Sequence, residues 1–180
     1  MSNTISPALA DKARAIRLAV FDVDGVMTDG RLFYSEDGQE AKAFHSRDGL
    51  GLKGLMSNNI RVAVITARRS ELVARRMTEL GITDLVQGCR NKDEALKTLL
   101  ETYQLQASQA AYTGDDLLDW PAMQHCGLKC APADANAWIR ERADWVTSLP
   151  GGFGAVRDVC EFILAAQGHL ANWQRQVACA

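Results

Sequence analysis

Two aspartates one residue apart follow an apolar run near the start of the chain. Asp22 and Asp24 lie in "FDVDGVMTDG" at 21–30, directly after the run "IRLAV" at 16–20. Two carboxylates this close repel each other, and each is costly to remove from water unless a positive charge lies near it. The pair therefore predicts a site that either stays open to water or holds a cation.

Groups of complementary chemistry occur in three later segments. Thr66 begins "TAR", Lys92 lies in "CRNKDEAL", and "GDDLLD" at 114–119 contains Asp115, Asp116 and Asp119. Each has an ordinary explanation on its own, because Asp and Thr often cap helices and a lone lysine is usually solvated. Together, acid, hydroxyl, cation and acid are the groups that a phosphoryl-transfer site needs.

The residue types suggest how such a site would work. Asp22 and Asp115 can supply carboxylate oxygens to Mg²⁺, which takes few protein ligands and leaves room for a phosphate. An aspartate can also attack phosphorus and form an aspartyl-phosphate. Thr66 and Lys92 can hold the phosphoryl oxygens. Asp24 can protonate the leaving alkoxide and later deprotonate the attacking water.

The elements that position these residues alternate between strand and helix. Strands are predicted at 17–21, 61–66, 84–87, 110–114, 127–132 and 145–150, and helices at 48–58, 70–80, 91–103, 116–125 and 134–143, with a last helix ending near 167. Two short strand-like runs around "EDGQ" predict a β-hairpin at 31–44. We predict an α/β fold with a Rossmann-like, doubly wound parallel sheet and this hairpin inserted after the first strand. The candidate residues then follow successive strands, at the sheet edge where ligands bind.

Composition excludes several other classes of protein. The chain has 180 residues, which fits a single domain spanning 1–180, and a formal net charge of −2, which argues against nucleic acid or an anionic membrane as a partner. The apolar runs are shorter than the roughly 20 residues that span a bilayer, and residues 1–15 lack the apolar core of a secretory signal. Five cysteines without CxxC spacing predict reduced thiols in a cytoplasmic protein.

The motifs taken in order resemble those of a known superfamily. "DVDGVMTDG", "TAR", Lys92 and "GDDLLD" are similar to the four motifs of haloacid dehalogenase (HAD) phosphatases. "FHSRDGLGLKGL" at 44–55 and "GGFGAVRD" at 151–158 extend the similarity over about 17–168. They resemble the family that hydrolyses 3-deoxy-D-manno-octulosonate (KDO) 8-phosphate during lipopolysaccharide precursor biosynthesis. The resemblance implies a HAD-like fold that lacks a cap domain.

The same resemblance implies roles for individual residues. Asp22 would be the nucleophile and Asp24 the acid and base, with Mg²⁺ bound by Asp22, the backbone carbonyl of Asp24, and Asp115. Asp116 and Asp119 would order metal-bound water, while Thr66 and Lys92 complete the catalytic set. A homotetramer is implied, in which inserted hairpins pack together and adjacent protomers complete each site. The positions implied to contact the phosphorylated sugar acid are Asp24, His45, Ser46, Arg47, Asp48, Gly49, Lys53, Arg68, Arg76 and Lys92.

Several alternatives stay open at the level of sequence. A nine-carbon, sialic-type sugar acid 9-phosphate would be served by the same chemistry, and a non-enzymatic phosphoacceptor receiver domain shares the sheet, although its motif order differs. His45 and Arg76 can equally be ordinary surface residues. Ala67 stands where the second motif usually has glycine, and it would be strained if that position needs a positive φ. The tail at 168–180 is either a frayed end or a segment that reaches a neighbouring site through Arg175.

Overall fold

A parallel six-stranded sheet forms the centre of the structure, a computed structural model that describes residues 6–38 and 40–179. Its strands have the spatial order β5-β4-β1-β6-β7-β8, and every neighbouring pair is parallel. The central strand β1 therefore lies between β4 and β6. The strands are β1 (Leu18–Phe21), β4 (Arg61–Ile65), β5 (Asp84–Val86), β6 (Ala110–Thr113), β7 (Leu128–Ala131) and β8 (Trp145–Val146).

Helices cover both faces of this sheet. Side chains alternate along β1, so Ala19 and Phe21 face one apolar cluster, with helices at Ser46–Ser57 and Ala155–Ala166, whereas Leu18 and Val20 face another, with the helix at Lys92–Tyr103. The helices are α1 (Pro7–Ala15), α2 (Ser46–Ser57), α3 (Glu71–Leu80), α4 (Lys92–Tyr103), α5 (Trp120–Met123), α6 (Ala137–Arg140), α7 (Ala155–Ala166) and α8 (Leu170–Ala178), with one 3₁₀ turn at Ala107–Gln109. The predicted α/β fold class is confirmed.

The segment after β1 forms the predicted hairpin. Strands β2 (Phe33–Tyr34) and β3 (Glu40–Ala41) pair in antiparallel fashion, with Tyr34 opposite Glu40. Leu32, Phe33 and Tyr34 are each more than 40% exposed. Three adjacent exposed apolar or aromatic side chains leave this hairpin with an uncovered surface in the single chain.

Some predicted boundaries were wrong. Helices α5 and α6 are shorter than 116–125 and 134–143, because residues before each helix donate to side-chain or loop acceptors instead of extending the helix. Strand β8 ends at Val146 rather than at 150. Helix α1 was not predicted, although Ser6 caps it by accepting from the Leu9 amide and Pro7 occupies the first turn. No helix in the described part of the chain is both long and apolar enough to cross a membrane.

The C-terminal segment is helical, which does not fit the frayed-end alternative. Helix α8 is anchored by Trp173, which is only 4% exposed. Its indole packs on α2 where Gly54 has no side chain, since a Cβ there would lie 2.7 Å from the ring. Arg157 of α7 lies over the same ring, 4.7 Å from its centroid. Trp173, together with Leu170 one turn earlier, thus anchors α8 to the core.

Candidate active site

Three strand ends bring the first candidate residues together. Phe21 of β1 is in register with Val64 of β4 and with Thr113 of β6. Asp22 continues this pairing, because its amide donates to the Thr113 carbonyl at 3.1 Å. Thr66 follows β4 and is buried. The loop at 114–119, which we call the acidic loop, follows β6 and contains Asp115 and Asp119.

Lys92 supplies a buried positive charge to this edge of the sheet. It is the first residue of α4, and its Nζ lies 2.9 Å from Asp22 Oδ2 and 2.7 Å from Asp119 Oδ1. Only 3% of Lys92 is exposed. Burial lowers the pKa of this lysine, but the two facing carboxylates outweigh burial and raise the pKa above its usual value. The ammonium therefore stays charged and links β1 to the acidic loop.

Asp119 holds the acidic loop in shape. Its Oδ1 accepts from Lys92 and from the Tyr112 hydroxyl at 3.1 Å, while its Oδ2 accepts from the amides of Asp115 at 3.0 Å and Asp116 at 3.3 Å. Both carboxylate oxygens are thus occupied within the protein. Asp119 accordingly fixes the position of Asp115 and has little capacity left for a metal ion. Tyr112 was not predicted as part of the site.

Asp22 and Asp115 have the properties of a cation site. Single oxygens of Asp22, Asp115 and Asp119 lie within 4.8 Å of one another, and Asp22 Oδ1 is buried without a hydrogen-bond partner among the described residues. Burial, followed by the charge of Asp119, raises the pKa of Asp22 to about 7 and that of Asp115 to about 8. Because a divalent ion would remove this repulsion and use the unpaired oxygen, the donor set fits a hard cation.

Gly25 makes the approach of Asp115 to the β1 loop possible. It has φ of +90°, and a Cβ at this position would overlap the Asp115 carboxylate. Any other residue would therefore meet both backbone strain and a steric clash. The glycine after Asp24 thus allows the two acidic segments to meet.

Asp24 belongs to a second group of charges, which we call the charge ring: Asp24, Lys42, Glu40 and Arg68. Lys42 Nζ contacts Asp24 Oδ1 and lies 3.4 Å from Glu40 Oε1. Arg68 Nη2 lies 3.4 Å from the same Glu40 oxygen, and Arg68 Nε lies 3.8 Å from Asp24 Oδ2. The Tyr34 hydroxyl accepts from Arg68 at 2.7 Å. The charge ring therefore joins the hairpin to the ends of β1 and β4.

Lys42, Glu40 and Tyr34 were not predicted as part of the site. One available signal was the period of two in a strand, which places Glu40 and Lys42 on the same face of the hairpin. The sequence could not show that this face turns toward Asp24.

Comparison with known proteins identifies the family. A family model described as haloacid dehalogenase-like hydrolase matches residues 81–151. The chain is 48% identical, over 92% of its length and 88% of the relative's, to 3-deoxy-D-manno-octulosonate 8-phosphate phosphatase of Salmonella typhimurium. The chain belongs to the KDO 8-phosphate phosphatase family. Members of this family are phosphatases of the HAD superfamily, so the receiver-domain alternative is not supported.

Solved structures of KDO 8-phosphate phosphatases share this architecture. The enzyme from Yersinia pestis is 47% identical and superposes with a TM-score of 0.90, over 92% of this chain and 89% of that one. The enzyme from Moraxella catarrhalis, solved with a magnesium ion, a phosphate ion and KDO, is 40% identical with a TM-score of 0.91, over 93% of this chain and 97% of that one. The HAD-like fold expected from the motifs is thereby confirmed.

The phosphatase's predicted substrate positions fall into two groups in the structure. Arg68 lies beside Asp24, as described above. Lys92 begins α4 and pairs with Asp22. The remaining positions lie at the cap of α2, on α2 or on α3, and the described contacts do not connect them to Asp22 or Asp24. His45 caps α2 by accepting from the Arg47 amide at 3.2 Å, and Ser46 and Lys53 are exposed.

Asp48, Gly49 and Arg76 are largely enclosed within the chain. Asp48 is 2% exposed, and its Oδ1 accepts from the Arg157 amide at 2.8 Å, so it fastens α2 to the start of α7. Arg76 packs over Gly49 and lies 3.5 Å from Glu79. In the single chain these three residues join helices, and their predicted roles in substrate binding stay predictions.

Ala67 and Asp116 also have clear local settings in this phosphatase. Of the described residues other than glycine, those with positive φ are Asn59 and Gln104, so Ala67 carries no such strain. The Oγ1 of Thr66 accepts a hydrogen bond from the Arg68 amide at 3.5 Å. Asp116 is exposed, and its Oδ1 accepts from the Leu117 amide and from Asn136.

Proposed function

We propose that this phosphatase hydrolyses KDO 8-phosphate to KDO and inorganic phosphate, with Mg²⁺, as a step toward lipopolysaccharide. The observation that carries the proposal is the cluster of buried Asp22, Lys92 and Asp119 with half-buried Asp115 in a member of this family. The KDO and magnesium bound by the 40%-identical Moraxella enzyme support the choice of substrate and ion. Five free cysteines are typical of a reducing compartment, which supports a cytoplasmic location.

Asp22 and Asp115, with the backbone carbonyl of Asp24, would hold the ion. When bound, Mg²⁺ supplies positive charge that offsets the negative charge of the transferring phosphoryl group. Lys92 and Thr66 would contact phosphoryl oxygens, and Lys92 also orients Asp22 through the 2.9 Å ion pair. Asp119 acts through Lys92 and through the acidic loop. Asp116 would help order water at the metal.

In the first step, an Asp22 carboxylate oxygen attacks phosphorus, and the bond from phosphorus to the sugar oxygen breaks. Asp24 gives its proton to the departing alkoxide, which leaves as KDO. In the second step, Asp24 takes a proton from water as the water oxygen attacks the phosphorus of the aspartyl-phosphate. The phosphorus–Asp22 bond breaks, which releases inorganic phosphate and restores both carboxyl groups.

The substrate pocket would be completed by neighbouring protomers of a homotetramer. The exposed side chains of Leu32, Phe33 and Tyr34 give the hairpin a surface that a second copy can cover. Arginines and lysines at the predicted positions on α2 and α3 suit a substrate with both phosphate and carboxylate, since guanidinium groups bind carboxylates bidentately. Exposed Arg175 on α8 is the C-terminal group available to a neighbouring site.

A direct comparison of substrates tests this proposal. We expect Mg²⁺-dependent turnover of KDO 8-phosphate with a kcat/KM well above that for nonulosonate 9-phosphates, each measured by phosphate release under identical conditions. EDTA should abolish turnover, and added Mg²⁺ should restore it. A higher kcat/KM for a nine-carbon substrate would assign that substrate instead, and full activity in EDTA would contradict the proposed metal.

A further inference from the structure

Lys42 has a buried side chain outside the cluster around Lys92. Its side chain is 2% exposed, although it lies in the hairpin, whose neighbouring residues Ala41 and Ala43 are exposed. A lysine is rarely buried unless it is paired, because removing an ammonium from water is costly. Here the pairing is with Asp24 and Glu40.

The charge ring makes the orientation of Asp24 depend on Lys42. Two carboxylates and two cations alternate around the ring, so each carboxylate has a cation on either side. Without Lys42, Asp24 and Glu40 would share Arg68 alone, and Arg68 lies nearer to Glu40, at 3.4 Å, than to Asp24, at 3.8 Å. Asp24 would then lose the contact that holds its Oδ1.

We propose that Lys42 is a positioning residue that orients the Asp24 carboxyl group for proton transfer to the leaving group. The inference rests on the proposed function, in which Asp24 is the acid. A displacement of a reacting group by about 1 Å can lower a rate by roughly 10²-fold. An ion pair that holds the Asp24 carboxyl group in position can therefore change the rate measurably. The hairpin thereby contributes to catalysis within its own chain.

The dependence of rate on the leaving group separates this role from a merely structural one. KDO 8-phosphate releases a strongly basic alkoxide, which needs a proton as it departs. p-Nitrophenyl phosphate releases a weakly basic phenolate, which needs little help from an acid. The quantity to compare is kcat/KM, because it reports the steps up to departure of the leaving group and excludes the later hydrolysis that both substrates share.

The experiment measures kcat/KM for both substrates with wild type and with Lys42→Met. We expect a loss of about 10²-fold for KDO 8-phosphate and of less than about 10-fold for p-nitrophenyl phosphate. The ratio of the two values does not depend on the fraction of active enzyme, so partial misfolding cannot imitate the result. Lys42→Gln, which keeps a polar side chain, should show the same selectivity and serves if Lys42→Met does not fold.

Two controls complete the design. Lys129→Met removes another enclosed lysine, paired with Asp144 at 3.1 Å on β7, and should leave both kcat/KM values unchanged. In an Asp24→Asn background, Lys42→Met should change kcat/KM less than about threefold, because the two residues act as a unit. The role of Lys42 would be overturned if Lys42→Met lowered kcat/KM equally on the two substrates or did not lower it at all. It would also be overturned if the effects of Lys42→Met and Asp24→Asn on kcat/KM were fully additive. If Asp24→Asn itself showed no selectivity, the proposed function of Asp24 would fail instead.

Discussion

Replacement of Lys92 by methionine tests how the buried charges of the site are balanced. Lys92 lies 2.9 Å from Asp22 and 2.7 Å from Asp119, and each pair is worth roughly 6 kcal/mol of gross attraction at an effective dielectric constant of about 20. Desolvation of the three charges offsets much of this attraction. Since the variant leaves carboxylates buried without their cation, we expect it to lower the free energy of unfolding by about 3–5 kcal/mol at pH 8.

The loss of stability should depend on pH and on the metal. Asp22 already has a pKa of about 7, and removal of a neighbouring ammonium raises it further, so at pH 6 the carboxyl group is protonated and the loss is smaller. Mg²⁺ should restore more stability to Lys92→Met than to wild type, because the variant site is more negative. We also expect kcat/KM to fall by roughly 10²–10³-fold.

Urea unfolding followed by circular dichroism, at pH 6 and pH 8 and with or without Mg²⁺, measures these effects. Lys97→Met is the matched control, since Lys97 is on the same helix and pairs with Asp93 at the surface. Its unfolding midpoint should equal that of wild type. An unchanged midpoint for Lys92→Met at pH 8 would refute the view that Lys92 balances buried charge, and an unchanged kcat/KM would remove it from the catalytic set.

Three further predictions follow from the site and the packing. Because Asp22 and Asp115 have pKa values of about 7 and about 8, the protonated fraction of both carboxyl groups rises as pH falls from 8 to 6. Calorimetry should therefore show Mg²⁺ affinity decreasing over this range, by up to about tenfold per pH unit for each proton displaced, and a flat profile would contradict this. Asp115→Asn should weaken Mg²⁺ binding far more than Asp24→Asn, which should lower kcat by about 10²–10⁴-fold; equal losses of affinity would refute the different roles. Trp173→Ala should lower the free energy of unfolding by about 3–5 kcal/mol in urea denaturation, whereas a change below about 0.5 kcal/mol would show that α8 does not stabilise the fold.

The sheet was predictable because its strands are marked by local patterns. The run "RVAVIT" is apolar and β-branched, and the helix at Glu71–Leu80 ends at Gly81, which has the left-handed φ of +78° that a helix end favours. Helix α8 was not predictable in this way. Its stability depends on Trp173 meeting Gly54 and Arg157, which lie far away in the sequence.

In the candidate site, too, some residues are placed by local patterns and others by contacts between segments far apart in the sequence. The candidate residues Asp22, Thr66 and Asp115 come directly after strands or one residue later, so the parallel sheet alone brings them together. The charge ring depends on the path of the hairpin, which sequence does not specify. For Asp48 the motif predicts a pocket residue, and this role stays a prediction; in the single chain its Oδ1 accepts from the Arg157 amide.

In the proposed mechanism, Asp22 carries the phosphoryl group during the reaction. The most direct test mixes excess enzyme with KDO 8-phosphate and Mg²⁺, quenches within one turnover, and reduces the product with borohydride, which converts an aspartyl-phosphate to homoserine. Mass spectrometry of the peptide containing residues 21–30 should find homoserine at position 22, and only when substrate is present. Rapid formation of KDO and phosphate with no modified residue, or with modification at another aspartate, would contradict the account.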